Sequence, residues 1–138
     1  QAIALAVWLA GQGVSRTEIR QDIEKTFGYD LSLHVDEIRP HYSWQGMDEK
    51  GNGEICRDSV PQAIICALEA SDFEDAVRNA VSLGGDSDTI GCMAGAIAEA
   101  LYGIPRSMAE RIRPIIDTRL LEIIDQFEKR YGANYIED

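Results

Sequence analysis

Apolar positions recur along most of this chain at the 3.6-residue spacing of helices, and no stretch alternates at the two-residue spacing of a strand. Ala2-Ile3-Ala4-Leu5-Ala6-Val7-Trp8-Leu9-Ala10 is apolar on nearly every side, which suits a helix inside a helical core. It is too short to span a bilayer, which takes about 20 apolar residues. Ser15 and Glu18 form a capping box ahead of Ile19, Ile23 and Phe27, and Gly28 stops that helix. Residues 31–53 read as irregular, with Pro40, many charges and the cluster Tyr42-Ser43-Trp44. Ser59 with Pro61 opens a helix reaching Glu69, and Asp72 caps another whose inner face carries Phe73, Val77, Ala80 and Val81. The next helix ends near Gly103. Pro114 opens the last, along which Ile116, Leu120, Ile123, Ile124, Phe127 and Tyr131 form one apolar stripe. The expected fold is all-α: one all-helical domain over residues 1–138, an orthogonally packed bundle of about five to six helices.

The densest chemistry lies in Gly84-Gly85-Asp86-Ser87-Asp88-Thr89, where a helix begins. Two carboxylates and a hydroxyl within four positions supply the hard oxygen donors that Mg²⁺ or Mn²⁺ prefers. The two glycines permit backbone conformations that a Cβ forbids, so the chain can fold tightly around an ion. Downstream, Gly91, Ala94, Gly95 and Ala98 leave one helix face nearly smooth, ready for a closely packed neighbour. Asp and Ser ahead of a helix are also ordinary caps, and capping accounts for such a tetrapeptide standing by itself. The glycine pair and the small-residue helix favour a metal site instead. An EF-hand is excluded, because its fifth and twelfth positions would fall on Ile90 and Ile97. A complete Mg²⁺ shell takes about six oxygens, so further donors must converge from elsewhere. Asp48-Glu49 and Glu74-Asp75 do not qualify; they read as solvated charge and helix-start residues.

The run from Val81 to Ile90, continuing through Ala94-Gly95-Ala96-Ile97 to Tyr102-Gly103-Ile104-Pro105, resembles the C-terminal signature of the ADP-ribosylglycohydrolase family. Ser59-Val60-Pro61-Gln62-Ala63-Ile64 and Asp72-Phe73-Glu74-Asp75-Ala76 resemble the segments that lead into it. The resemblance implies an all-helical hydrolase with a dinuclear Mg²⁺ or Mn²⁺ centre. Its substrates would be ADP-ribosylated proteins or small ADP-ribose compounds. Carried over by position, it makes Asp86, Asp88 and Thr89 metal ligands, with Asp88 bridging the ions, and Gly85 the place where ribose approaches them. The family's N-terminal Thr-Asp-Asp-Thr motif and its Gly-Asn-Gly-Ser loop are not found here. Gly51-Asn52-Gly53-Glu54 echoes part of the latter and reads as a turn. The chain is therefore expected to be the C-terminal portion of such an enzyme, inactive alone. Trp44 is the candidate for stacking an adenine, set against a plain role pinning its loop to the core, with Tyr42 as its competitor.

A net charge of −11 argues against binding a nucleic-acid duplex, which needs a basic face. No basic n-region precedes the apolar run at Ala2, so a signal peptide is not expected there. Cys56, Cys66 and Cys92 show no CxxC spacing and suit a reducing cytoplasm, with Cys56 expected to be buried packing. His34 and His41 show no zinc spacing. An apolar first helix short of partners predicts self-association, or pairing with the missing N-terminal half. Two other classes stay open: a non-catalytic helical interaction module and a Mg²⁺-dependent phosphohydrolase.

Overall fold

The computed structural model describes residues 1–47 and 53–137, and most of these are helical. They divide into two compact units, Gln1–Tyr102 and Gly103–Asp138. The first holds α1 (Ala2–Gly11), α2 (Arg16–Phe27), α3 (Val35–Ile38), α4 (Cys56–Glu69), α5 (Phe73–Ser82) and α6 (Ser87–Tyr102). The second holds β1 (Ile104–Pro105), α7 (Arg106–Ile112), a 3₁₀ turn (Arg113–Ile115), α8 (Thr118–Tyr131) and β2 (Tyr135–Ile136). The all-α class is thus the observed one. The described helices exceed the expected number because α3 and α7 are too short to impose a 3.6-residue pattern on the sequence.

Local signals set most ends. The Ser15 hydroxyl accepts from the Glu18 N–H at 3.3 Å, the Glu18 carboxylate accepts from the Ser15 N–H at 3.2 Å, and Gly28 closes α2 in the left-handed region. Asp72 accepts from the Asp75 N–H at 2.8 Å and starts α5, with Glu74 and Asp75 in its first turn. α4 begins at Cys56, earlier than expected, with Ile55 extended ahead of it. Pro61 lies inside that helix and removes one rung, the donor to the Arg57 carbonyl. Pro114 opens only the 3₁₀ turn; Asp117 caps α8 by accepting from the Arg119 N–H at 2.9 Å. β1 and β2 pair in parallel, Ile104 opposite Tyr135.

The core of the first unit is built on α4, whose residues Ser59 to Leu68 are all buried. α6 packs on α1, α4 and α5. Its smooth face meets α5 as anticipated: a Cβ added at Gly91 or Gly95 would lie 3.7 Å from Val81 and 3.8 Å from Val77. The inner face of α5 is carried by Ala76 and Ala80, whereas Val81 is mostly exposed. α1 buries Ala2, Ala6, Leu9 and Ala10 against this core and leaves Trp8 at the surface, so it has partners within the unit.

Candidate functional site

The acidic loop lies between α5 and α6. Leu83 is buried at its start, and Gly84 and Gly85 both take positive φ, turning the chain between the two helices. The Ile90 N–H donates to the Asp86 carbonyl at 3.0 Å, which puts Asp86 at the N-cap of α6 and Asp88 and Thr89 in its first turn. Asp86 is half-buried; Asp88 and Thr89 are exposed. Side-chain hydrogen bonding with Asp86, reinforced by the Thr89 N–H at 2.9 Å, holds the Asp88 carboxyl below the usual carboxylate range.

The segment that follows α3 packs against this loop. Tyr42 is buried, its N–H donates to the Ile38 carbonyl at 2.9 Å, and its hydroxyl donates to the Gly53 carbonyl at 2.8 Å. Burial, then the neighbouring Asp86 and Asp58 charges, push its phenol up to about 12. A Cβ on Gly85 would lie 2.9 Å from the Tyr42 ring and 3.0 Å from the Ser43 carbonyl carbon. On Gly53 it would lie 2.5 Å from the Ser43 oxygen. Only glycine therefore lets the Ser43 backbone pass between these two points. Ser43 and Gly46 bridge to form a turn that carries Trp44, and the Gly53 N–H donates to the Trp44 carbonyl at 2.9 Å.

Asp86, Asp88, Thr89 and Gly85 share one loop, and Trp44 lies in the turn whose Ser43 backbone abuts Gly85. Trp44 does not pin its loop, being 57 % exposed; Tyr42 does that, and so is not available to stack a base. Cys56 is exposed rather than buried, because it is the first residue of α4, while Cys66 is the buried thiol. Gly53 and Glu54 do form a turn; Asp48-Glu49 and Gly51-Asn52 lie outside the described residues. The part played by Tyr42 was hidden because its contacts with Gly53 and Gly85 are made across the fold. A separate cleft of about 300 Å³ is lined by Arg16, Thr17, Arg20, Leu68 and Glu69.

Two carboxyls and a hydroxyl on one turn, all hard oxygens, suit the donor preference of a divalent cation. They do not complete its shell. Among the described residues, no group of three or more His, Cys, Asp or Glu gathers as a metal cage. Nor is any described helix long and apolar enough to cross a membrane.

The ADP-ribosylglycohydrolase family profile matches residues 1–136, and the chain belongs to that family. It is 34 % identical to ADP-ribosylhydrolase ARH3 of Mus musculus, over 86 % of this chain and 43 % of that protein. Against ADP-ribosylhydrolase ARH3 of Bos taurus the identity is 33 %, with the same shares covered. A shorter match to ADP-ribosylhydrolase ARH3 of Danio rerio is 44 % identical, over 42 % of this chain and 19 % of that protein. The chain spans less than half the length of these curated relatives. No solved structure matches.

Proposed function

We propose that this chain contributes one half of a dinuclear metal site in an enzyme that hydrolyses the glycosidic bond at the distal ribose of ADP-ribosylated substrates. The placement of Asp86 at the N-cap and of Asp88 and Thr89 in the first turn of α6, in a chain of the ADP-ribosylglycohydrolase family, carries this reading. A bound Mg²⁺ or Mn²⁺ pair would supply charge stabilisation and make water a stronger nucleophile at neutral pH. Asp86 and Asp88 offer it negative oxygens, Asp88 as the bridge, and Thr89 a neutral one. Gly85 lets the loop close against the Tyr42 ring and the Ser43 backbone. Trp44, exposed on the neighbouring turn, offers its ring face to the adenine. The substrate is an ADP-ribosylated protein or a small ADP-ribose compound. Acid–base work falls to a carboxylate supplied by another part of the enzyme, and we place the activity in the cytoplasm, where three unpaired thiols stay reduced.

The test is a calorimetric Mn²⁺ titration of the 138-residue chain beside its Asp88→Asn and Thr89→Ala variants. The parent chain is expected to bind Mn²⁺ weakly and to show no ADP-ribosyl hydrolase turnover. Asp88→Asn removes a charge shared between two cations and should abolish binding while α6 stays folded, because Asp86, at its N-cap, is untouched. Thr89→Ala removes a neutral donor that water can replace, and should weaken binding less. Unchanged affinity in Asp88→Asn reduces the loop to a helix cap. Turnover by the 138-residue chain alone contradicts the half-site.

A further inference from the structure

We propose that Tyr42 is the positioning residue of the acidic loop, its ring clamped on Gly85 so that the Asp86 and Asp88 carboxylates leave the backbone at a fixed place. This rests on the metal-site reading above. Three attachments hold Tyr42. Its N–H is bonded to the end of α3 at the Ile38 carbonyl, 2.9 Å away. Its hydroxyl is bonded to the Gly53 carbonyl at 2.8 Å, just ahead of α4. Its ring edge would lie only 2.9 Å from a Cβ at Gly85, so ring and loop backbone are in close contact. A buried aromatic tied to the end of α3 and to the turn ahead of α4 cannot yield easily. The loop, in contrast, consists of two glycines and an exposed first turn, with little rigidity of its own. Rigidity therefore passes from the core to the loop through this ring. The same residue is followed by Ser43 and Trp44, so one anchor sets both the acidic loop and the exposed indole.

The experiment compares Mn²⁺ affinity in the 138-residue chain with Tyr42→Leu and Tyr42→Phe, each checked for folding by circular dichroism. Tyr42→Leu removes the ring and should weaken binding about tenfold, the lower end of what lost support behind a ligand costs. Tyr42→Phe keeps the ring on Gly85 and should recover most of that loss. Equal affinity in all three proteins, or no recovery with Phe, overturns the proposal. Should Tyr42→Leu fail to fold, Gly85→Ala drives a methyl at the ring from the other side, with Gly84→Ala as the control that shares positive φ but meets open space. A larger loss of affinity in Gly85→Ala supports the clamp; equal losses overturn it. If the parent chain shows no Asp88-dependent Mn²⁺ binding, the metal-site reading fails separately. The amide resonances of Asp86 to Thr89 then decide the clamp: displacement in Tyr42→Leu, or in Gly85→Ala beyond Gly84→Ala, upholds it, and unmoved resonances refute it.

Discussion

Gly84 and Gly85 are neighbours with the same backbone sign and opposite surroundings. At Gly84, φ is 74° and an added Cβ meets nothing within 4 Å, so alanine suffers only left-handed strain, about 1 kcal/mol. At Gly85, φ is 59° and the added Cβ runs into both the Tyr42 ring and the Ser43 backbone. The Gly85→Ala cost should reach about 3 kcal/mol, because strain and overpacking add. Urea unfolding of the two variants should separate them by that difference; equal costs would mean the loop shifts freely. Tyr42 itself gives the chain an alkaline limit. Its phenol ionises near 10 when unfolded and at about 12 when folded. Since the folded value is raised, the stabilisation is intact below about pH 10 and is lost as pH climbs toward 12, on the order of 2 kcal/mol in all. Thermal melts between pH 9 and 12, taken as about the useful range, should fall more steeply for the parent than for Tyr42→Phe, which cannot ionise.

At the scale of elements, the C-terminus of α4 shows how a helix can end without glycine. Ala70 is extended, and the last carbonyls of the helix are met by side chains from two other helices. Arg16 of α2 donates to the Ala70 carbonyl at 2.8 Å and the Leu68 carbonyl at 3.3 Å. The Tyr102 hydroxyl of α6 lies 2.7 Å from the Ala70 carbonyl. A cation at a helix C-terminus is also favoured by the helix dipole. Arg16→Ala should therefore cost about 1–3 kcal/mol, the range for a hydrogen bond from a charged donor. Lys25→Ala, near the exposed end of α2, should stay within about 0.5 kcal/mol. Chemical denaturation measures both, and similar losses would show that Arg16 bonds contribute nothing beyond the surface.

Among the described residues, large exposed apolar side chains are most numerous on α8, whereas α1 exposes Trp8. Leu120, Ile123, Phe127 and Tyr131 follow one helix face, and each is at least 56 % exposed. Two of the acidic residues on α8 are paired: Arg113 bonds both Asp125 and Glu128, and Tyr135 bonds Glu128. An amphipathic face of this kind favours association with another apolar surface, such as a second copy of the chain. Sedimentation of the parent should show concentration-dependent self-association, and Ile123→Glu with Phe127→Glu should abolish it. A parent that stays monomeric at high concentration, without binding a hydrophobic dye, would contradict this expectation.

Features governed by neighbours a few positions apart could be read from sequence. They include the Ser15–Glu18 box, the stops at Gly28 and Gly84-Gly85, the Asp72 cap and the smooth face of α6. The acidic loop belongs with them, since its carboxylates are adjacent along the chain and need no fold to meet. Short elements escaped because α3 and α7 span too few residues to show a period. Pro61 and Pro114 misled because a proline's fixed φ and missing N–H suit a helix start, yet packing tolerates one inside α4. Tyr42 and Trp44 are the plainest contrast. Both are aromatic residues of one irregular segment, and local pattern cannot rank them. Tertiary structure ranks them, burying the ring that meets Gly53 and Gly85 and exposing the other, because burial is decided by segments distant in sequence that close over a side chain.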